Sequence, residues 1–154
     1  MKKFIIITIL LFISFYSFGQ NEGFKKVQYS KTEIAVPEDY FAKDEYSIEN
    51  NNFSAQWLYL NKEMVEQGVA NQISKQFEDQ IKFSKVTGIQ FISNNGVFNG
   101  KKYELKNNKK LKFKIIAFGT VDNQPLILNM GFRTDPELSD GSDQLMKKFI
   151  QMKK

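Results

Sequence analysis

The sequence contains no cysteine and no histidine, and these two absences exclude several classes of chemistry. Nucleophilic catalysis through a Ser-His-Asp or Cys-His arrangement needs histidine as the base. Zinc sites built from cysteine and histidine, haem ligation by histidine and thiol redox chemistry are also excluded, because the side chains that they require are missing. A serine arrangement that works without histidine is also missing, because no S-x-x-K motif occurs. We therefore predict that the protein is not an enzyme and holds no cofactor and no metal.

The sequence also lacks an apolar run long enough to span a membrane. Two lysines precede an apolar stretch over residues 4–15, and the small residues Ser17 and Gly19 stand at the −3 and −1 positions of a cleavage site. This order is typical of a secretory signal peptide over residues 1–19. A spanning helix needs about 20 predominantly apolar residues, and the apolar character ends by Phe18. We therefore expect export to the periplasm or the extracellular space, with no stable membrane insertion after the signal is cleaved.

A large excess of charge of one sign is missing as well. The formal net charge of +5 falls to +3 when the two signal-peptide lysines are removed, and so small an excess does not indicate a nucleic-acid partner. Residues 20–31 are polar and predict a flexible lead-in. Residues 32–154 are enough for a single domain with its own core. With no cysteine to form disulfides, that core alone must stabilise the domain.

The pattern of apolar residues predicts an α+β fold. The segment 53–60 (FSAQWLYL) alternates apolar residues as a half-buried strand does. Further apolar residues recur at steps of four, which places them on one stripe of a helix predicted over 62–82. The members of this stripe are Val65, Val69, Ile73, Phe77 and Ile81. A second amphipathic helix is predicted over 142–152.

Four strands joined by short turns are predicted between the two helices. The turn signals are Asn-, Asp- and Gly-rich pairs, including Asn94-Asn95, Asn99-Gly100 and Asp122-Asn123. Such a succession indicates a C-terminal antiparallel meander. The predicted fold is therefore an antiparallel sheet of about six strands flanked by the two helices. A cystatin-like sheet wrapped around one helix is the alternative.

Several segments follow one another in a characteristic order. They are a strand that ends in VPEDY (36–40), the helix 62–82, NGKKYEL (99–105), TVDNQPLILNMGF (120–132) and the closing helix. This order resembles that of the PsbP-like superfamily. The likeness covers most of residues 32–152 and implies an α/β/α sandwich used for binding and accessory roles, with no shared catalytic residues.

Lysines are concentrated in one part of the predicted meander. Seven lysines and a single acid, Glu104, lie between residues 96 and 115. Residues two apart on a strand share a face, so Lys110, Lys112 and Lys114 are predicted to form one row, with Lys102 on the neighbouring strand. A basic patch of this kind attracts anions by long-range electrostatics. The alternative is a solvated sheet face whose lysines prevent edge-to-edge association.

Two functions remain compatible with these observations. The first is an exported, soluble, non-catalytic accessory domain that interacts with an unidentified protein partner, as the PsbP-like resemblance implies. The second is a carrier of a small anionic or amphipathic ligand, with Lys102, Lys110, Lys112 or Lys114 at the mouth of the site.

Overall fold

The computed structural model describes residues 23–152, and the signal peptide predicted over 1–19 lies outside the described residues. Nine strands form within this range. They are β1 Lys26–Tyr29, β2 Thr32–Ala35, β3 Ser47–Glu49, β4 Phe53–Tyr59, β5 Phe83–Ser93, β6 Gly96–Leu105, β7 Phe113–Val121, β8 Gln124–Phe132 and β9 Gln151–Met152. Strands β1 and β2 pair as a hairpin, and the others form a curled seven-stranded sheet in the order β3-β4-β8-β7-β6-β5-β9.

The antiparallel meander is confirmed over β5 to β8, which pair in succession. Two of the predicted turns lie where the sequence placed them. Asn94-Asn95 and Asp122-Asn123 adopt positive φ angles, the backbone that a two-residue hairpin turn of matching twist requires. The turn predicted at Asn99-Gly100 is wrong, because both residues lie inside β6. The observed sheet is compatible with the predicted α+β class.

The helix predicted over 62–82 is replaced by two helices, α1 Lys62–Glu66 and α2 Val69–Gln80. Gly68 separates them with a left-handed φ of 68°, a conformation that glycine adopts without the steric cost of a Cβ atom. The backbone N–H of Gly68 donates to the Val65 carbonyl at 3.0 Å and so closes the end of α1. The stripe at steps of four is therefore interrupted. Ile73 is its only buried member among the described residues of α2.

The helix predicted over 142–152 is also shorter in the structure. A 3₁₀ turn, Pro136–Leu138, is followed by the four-residue helix α3, Met146–Phe149. The Asp143 carboxylate accepts from the Leu145 and Met146 backbone N–H groups, both at 3.0 Å, and begins the helix. Residues 151–152 leave it because they pair with the edge of β5 as strand β9.

One face of the sheet, here called the hairpin face, is covered by β1–β2 and α3. Its centre is aromatic: the Trp57 ring lies 5.3 Å from Tyr29 and 5.5 Å from Phe149, measured between ring centroids. The buried Tyr29 hydroxyl also shares a 2.8 Å hydrogen bond with Ser93 Oγ. The flexible lead-in predicted over 20–31 is wrong for its described part, residues 23–31, because Val27 and Tyr29 alternate into the core as a strand.

The opposite face, here called the helix face, packs against α1 and α2. The buried members of this second core are Leu60, Ile73, Tyr103, Ile116 and Ile127. Phe77 of α2 meets Tyr103 edge-on at 4.9 Å. No helix in residues 23–152 is long and apolar enough to cross a membrane. The two helices cover only part of this face, and the remainder contains the candidate site.

Candidate anion-binding site

The structure separates the four lysines that the sequence places together. In the register of β6 and β7, Lys102 lies opposite Ile115 and Tyr103 lies opposite Lys114. Because successive strand residues point to opposite faces, Lys102 belongs to the hairpin face and Lys114 to the helix face. Lys110 and Lys112 precede β7, which begins at residue 113. The predicted single row of three lysines on one strand is therefore not formed.

Lys102 is a buried, paired cation. Its side chain is 7% exposed, and its ammonium donates to both carboxylate oxygens of Asp135, at 2.8 and 2.9 Å, and to Glu137. Burial by itself lowers the pKa of Lys102, but the hydrogen bonds and charges of Asp135 and Glu137 together outweigh it and hold the pKa above its usual value. With both carboxylates already bound to it, Lys102 offers no free charge to a ligand.

Lys112 has an exposed side chain, and its backbone performs a structural task. Its N–H donates to the Phe132 carbonyl, and its carbonyl accepts from the Leu105 N–H, both at 2.8 Å. These bonds anchor the end of the loop 106–112 between β6 and β8. The position of Lys112 therefore follows from strand pairing.

Lys110 and Lys114 lie on a cleft at the edge of the helix face, with a cavity of about 500 Å³. Three apolar side chains, Phe77, Ile81 and Leu105, supply part of its wall. Five lysines line the same cavity, and no aspartate or glutamate does. We call this cavity the lysine cleft, and its lysines are Lys82, Lys106, Lys109, Lys110 and Lys114. None of the five forms an ion pair with any residue from 23 to 152.

Local hydrogen bonds explain why these lysines gather. Helix α2 ends just before Lys82, whose carbonyl accepts from the Lys106 N–H at 3.0 Å, so the two segments lie side by side. The next residue, Asn107, has a positive φ of 59° and turns the chain. Asn108 then accepts from the Lys110 backbone N–H at 3.0 Å, the short side-chain bond typical of a turn. The turn brings the loop lysines to the C-terminal end of α2, where the helix dipole favours cations.

Lys114 differs from the other four lysines because its side chain is partly buried, whereas theirs are exposed. Its Nζ lies 5.5 Å from the centroid of the Phe77 ring, in cation–π geometry. Burial lowers the pKa of Lys114 to about 8. At pH 7 the Lys114 ammonium is therefore still protonated in about nine-tenths of the molecules. Lys114 is therefore a poorly hydrated charge with no carboxylate within 4.0 Å in the described part of the chain.

A second cavity, of about 320 Å³, shares Asn108, Lys110 and Lys114 with the lysine cleft. Its base is the part of the helix face that α1 and α2 leave uncovered. Here the sheet presents polar residues, which we call the polar floor: Ser47, Ser54, Gln56 and Asn129. Asn129 is 7% exposed, and its Oδ1 has no hydrogen-bond partner among the described residues. Such an atom costs stability unless a donor reaches it.

A larger cavity, of about 610 Å³, lies between α2 and the strands β6 and β7, and its charged groups, Lys75, Glu78 and Lys101, include a carboxylate. Glu78 accepts from the Lys101 ammonium at 2.7 Å and from the Tyr103 hydroxyl at 2.9 Å. The bond from Lys101, followed by that from Tyr103, lowers the pKa of the Glu78 carboxyl. Unlike the lysine cleft, this groove therefore holds a carboxylate that neutralises one of its two lysines.

Several residues of the candidate site are not among the four lysines predicted from the sequence. Lys106 and Lys109 belong to the lysine-rich run, so their presence had a signal in the sequence. Lys82 and Asn129 are brought in only by the tertiary fold, from the end of α2 and from β8.

No family model, no curated protein and no solved structure matches this chain. The resemblance to the PsbP-like superfamily therefore stays a prediction.

Proposed function

We propose that this chain is an exported, non-catalytic binding domain that carries a small anionic or amphipathic ligand in the lysine cleft. The observation that carries the proposal is the set of five lysines around one concavity that no carboxylate lines. Export is proposed from the signal-peptide pattern of residues 1–19, and the absence of catalysis from the lack of histidine and cysteine.

The partly buried Lys114 distinguishes the lysine cleft from an ordinary solvated surface. A single exposed lysine contributes only about 0–1 kcal/mol to an ion pair, because water screens its charge. Lys114 is less hydrated, so an anion beside it loses less to competing water. The neighbouring Phe77, Ile81 and Leu105 offer an apolar wall to the rest of such a ligand.

The test compares two triple variants with the same change in net charge. The cleft variant is Lys106→Gln, Lys109→Gln and Lys110→Gln. The matched control is Lys25→Gln, Lys31→Gln and Lys148→Gln, which are exposed lysines outside the cleft. Thermal unfolding is followed in citrate, in inorganic phosphate and in sodium chloride at equal ionic strength.

We expect citrate and phosphate to raise the melting temperature of the unmodified chain and of the control more than sodium chloride does. The cleft variant should lose this difference. The same response in all three proteins would contradict the proposal. Native mass spectrometry of the chain isolated from its own envelope should then show a small adduct, whose identity names the ligand.

A second candidate function is the accessory domain that docks on a protein partner, and the open edge of β5 favours it. The described residues of strand β9 pair with Phe91 and Ile92 of β5. The stretch 83–90 has no outer neighbour strand in the described part of the chain. Its residue Val86 is 42% exposed. An extended segment of a partner adds to such an edge through main-chain hydrogen bonds.

Co-isolation with two valine variants tests this second candidate. Val86→Asp introduces a charge at the open edge, whereas Val97→Asp introduces it at a valine of similar exposure (45%) on β6, which has neighbours on both sides. Loss of a co-isolated protein from Val86→Asp alone supports docking at the edge. Retention of the protein by both variants would exclude the β5 edge as the docking surface.

A further inference from the structure

The polar floor beside the lysine cleft has a shape and a chemistry of its own. In the sheet register, Gly131 on β8 lies opposite Lys114 on β7, and Asn129 is two residues before Gly131. Asn129 and Lys114 are therefore diagonal neighbours on the same face, a relationship that places backbone positions about 7–8 Å apart. One small molecule can reach both side chains.

Gly131 lies on the same face as these two residues, and its lack of a side chain leaves room above the sheet there. A Cβ atom there would lie 2.5 Å from Leu111 Cδ1 and 2.8 Å from Ser54 Oγ. The Leu111 side chain thus lies directly over Gly131 and forms one wall of the cavity. The loop that carries Leu111 is held by Asn108, whose carboxamide oxygen accepts from the Leu111 N–H at 3.0 Å. The pocket is accordingly built by an ordered turn over a sheet face.

The acceptor in this pocket calls for a hydrogen-bond donor. The Asn129 Oδ1 is buried and has no partner among residues 23–152. A buried carbonyl oxygen of this kind is satisfied by an N–H or O–H group. The lysine side chains nearby provide the charge for an anion, so the complementary molecule carries both an anionic group and a donor.

The single carboxylate of the pocket lies at its far side. Glu49 on β3 is separated from Lys114 on β7 by strands β4 and β8, which amounts to about 14 Å between backbones at 4.8 Å per strand. An anionic group at that end would be repelled by Glu49, so the anionic group of a ligand is placed at the Lys114 side of the pocket. The other charged groups lining the pocket are Lys43 and Lys110.

We infer that the ligand is a small carboxylate bearing a hydroxyl or amino group, bound with its carboxylate at Lys114 and its donor at Asn129. This inference deepens the proposed function and depends on it, because Lys114 belongs to both cavities. It separates substituted carboxylates from simple fatty acids and from inorganic anions.

The experiment titrates the unmodified chain with 3-hydroxybutyrate and with butyrate, which differ by one hydroxyl group. Binding is followed by NMR through the backbone amide signals of the pocket residues in every protein, and also through the side-chain amide signals of Asn129 in the unmodified chain. We expect 3-hydroxybutyrate to bind at least tenfold more tightly and to shift those signals, because a site built to bond a hydroxyl discriminates against the analogue that lacks it. The variant Asn129→Leu should bind both acids equally, and Lys114→Met should weaken both.

The outcomes separate this inference from the proposed function. Equal affinity of the two acids for the unmodified chain overturns the inference, while the citrate and phosphate experiment still judges the lysine cleft by itself. Failure of both acids to bind overturns the inference as well. Neither result depends on the folding of a variant, since both are read from the unmodified chain. For Asn129→Leu, an unchanged NMR spectrum outside the pocket establishes that the sheet is intact.

Discussion

The Lys102 ammonium is held between the two carboxylate oxygens of Asp135, at 2.8 and 2.9 Å, beneath a largely closed surface. Replacing Lys102 with methionine would keep most of the side-chain volume and leave Asp135 and Glu137 without their cation. Because breaking a buried pair from one side leaves uncompensated charge, we expect the free energy of unfolding to fall by about 2–4 kcal/mol. Urea denaturation at pH 7 measures this loss.

The control is Lys112→Met at an exposed lysine, which should change the free energy of unfolding by no more than about 0.5 kcal/mol. A similar loss in both variants would contradict the description of Lys102 as a buried, paired cation.

The lowered pKa of Lys114 predicts a distinct dependence of stability on pH. Between about pH 8 and pH 10.5 the unfolded chain holds a proton on this lysine that the folded chain has released. Stability contributed by this group therefore rises with pH across that interval. The charged groups around it are Lys82, the three lysines of the loop 106–112 that line the lysine cleft, and, across the polar floor, Lys43 and Glu49.

Lys114→Met removes the cost of burying that charge. We expect the variant to be more stable than the unmodified chain by about 1–3 kcal/mol at pH 7 and to lose most of the rise above pH 8. Unfolding free energies measured at pH 7, 8.5 and 10 give the comparison, and Lys106→Met provides an exposed control in the same cleft. A loss of stability in Lys114→Met would show that the ammonium is better satisfied than its surroundings indicate.

Two glycines of the sheet should respond in opposite ways to alanine. At Gly100 an added Cβ would overlap the Ile116 carbonyl oxygen and lie 2.5 Å from the Ala117 Cα, whereas at Gly88 nothing lies within 4 Å. We expect Gly100→Ala to cost more than about 2 kcal/mol, because backbone atoms must move. Gly88→Ala should be neutral or stabilising by up to about 1 kcal/mol. Thermal and urea unfolding of the pair decide the matter, and equal effects would count against this account of Gly100.

Phe149 should be among the residues most important for stability. It is fully buried and its ring lies 5.0 Å from Tyr29 and 5.5 Å from Trp57. We expect Phe149→Ala to cost about 3–5 kcal/mol, the usual range for an aromatic residue removed from a core. Leu138 is 84% exposed, so Leu138→Ala serves as the control and should have almost no effect. A small loss in Phe149→Ala would mean that α3 is not an integral part of the core.

The sequence predicted the sheet better than the helices, for a physical reason. The alternation in 53–60 and the hairpin turns are local, so the residues that specify them are also the residues that form them. The end of α1 depends on the left-handed backbone of Gly68, which interrupts an apolar stripe whose steps of four do not reveal it. The end of α3 depends on distant pairing, because residues 151–152 join the edge of β5 instead of extending the helix.

The candidate site was predictable only in part. The density of lysines after residue 100 indicated a basic region, and Lys110 and Lys114 do lie on one cavity. The strand register decides the rest. Lys102 and Tyr103 are adjacent in the sequence, so their side chains point to opposite faces of the sheet: Lys102 binds Asp135, and Tyr103 lies on the face of Lys114. The strand register also explains Gly100. The dipeptide Asn99-Gly100 resembles a turn signal in the sequence, but in β6 the glycine allows the close approach of β7.

The way the hairpin face is covered has a consequence for the order of folding. The meander β5–β8 joins neighbours in sequence and can form early, because short loops cost little entropy to close. The covering elements come from far apart, as the 2.5 Å hydrogen bond from Tyr40 to Asp143 across 103 residues shows. Until both arrive, the aromatic side of the meander remains bare. A folding intermediate that contains the meander alone would therefore expose an aromatic surface, which is buried only when the hairpin β1–β2 and α3 dock on it.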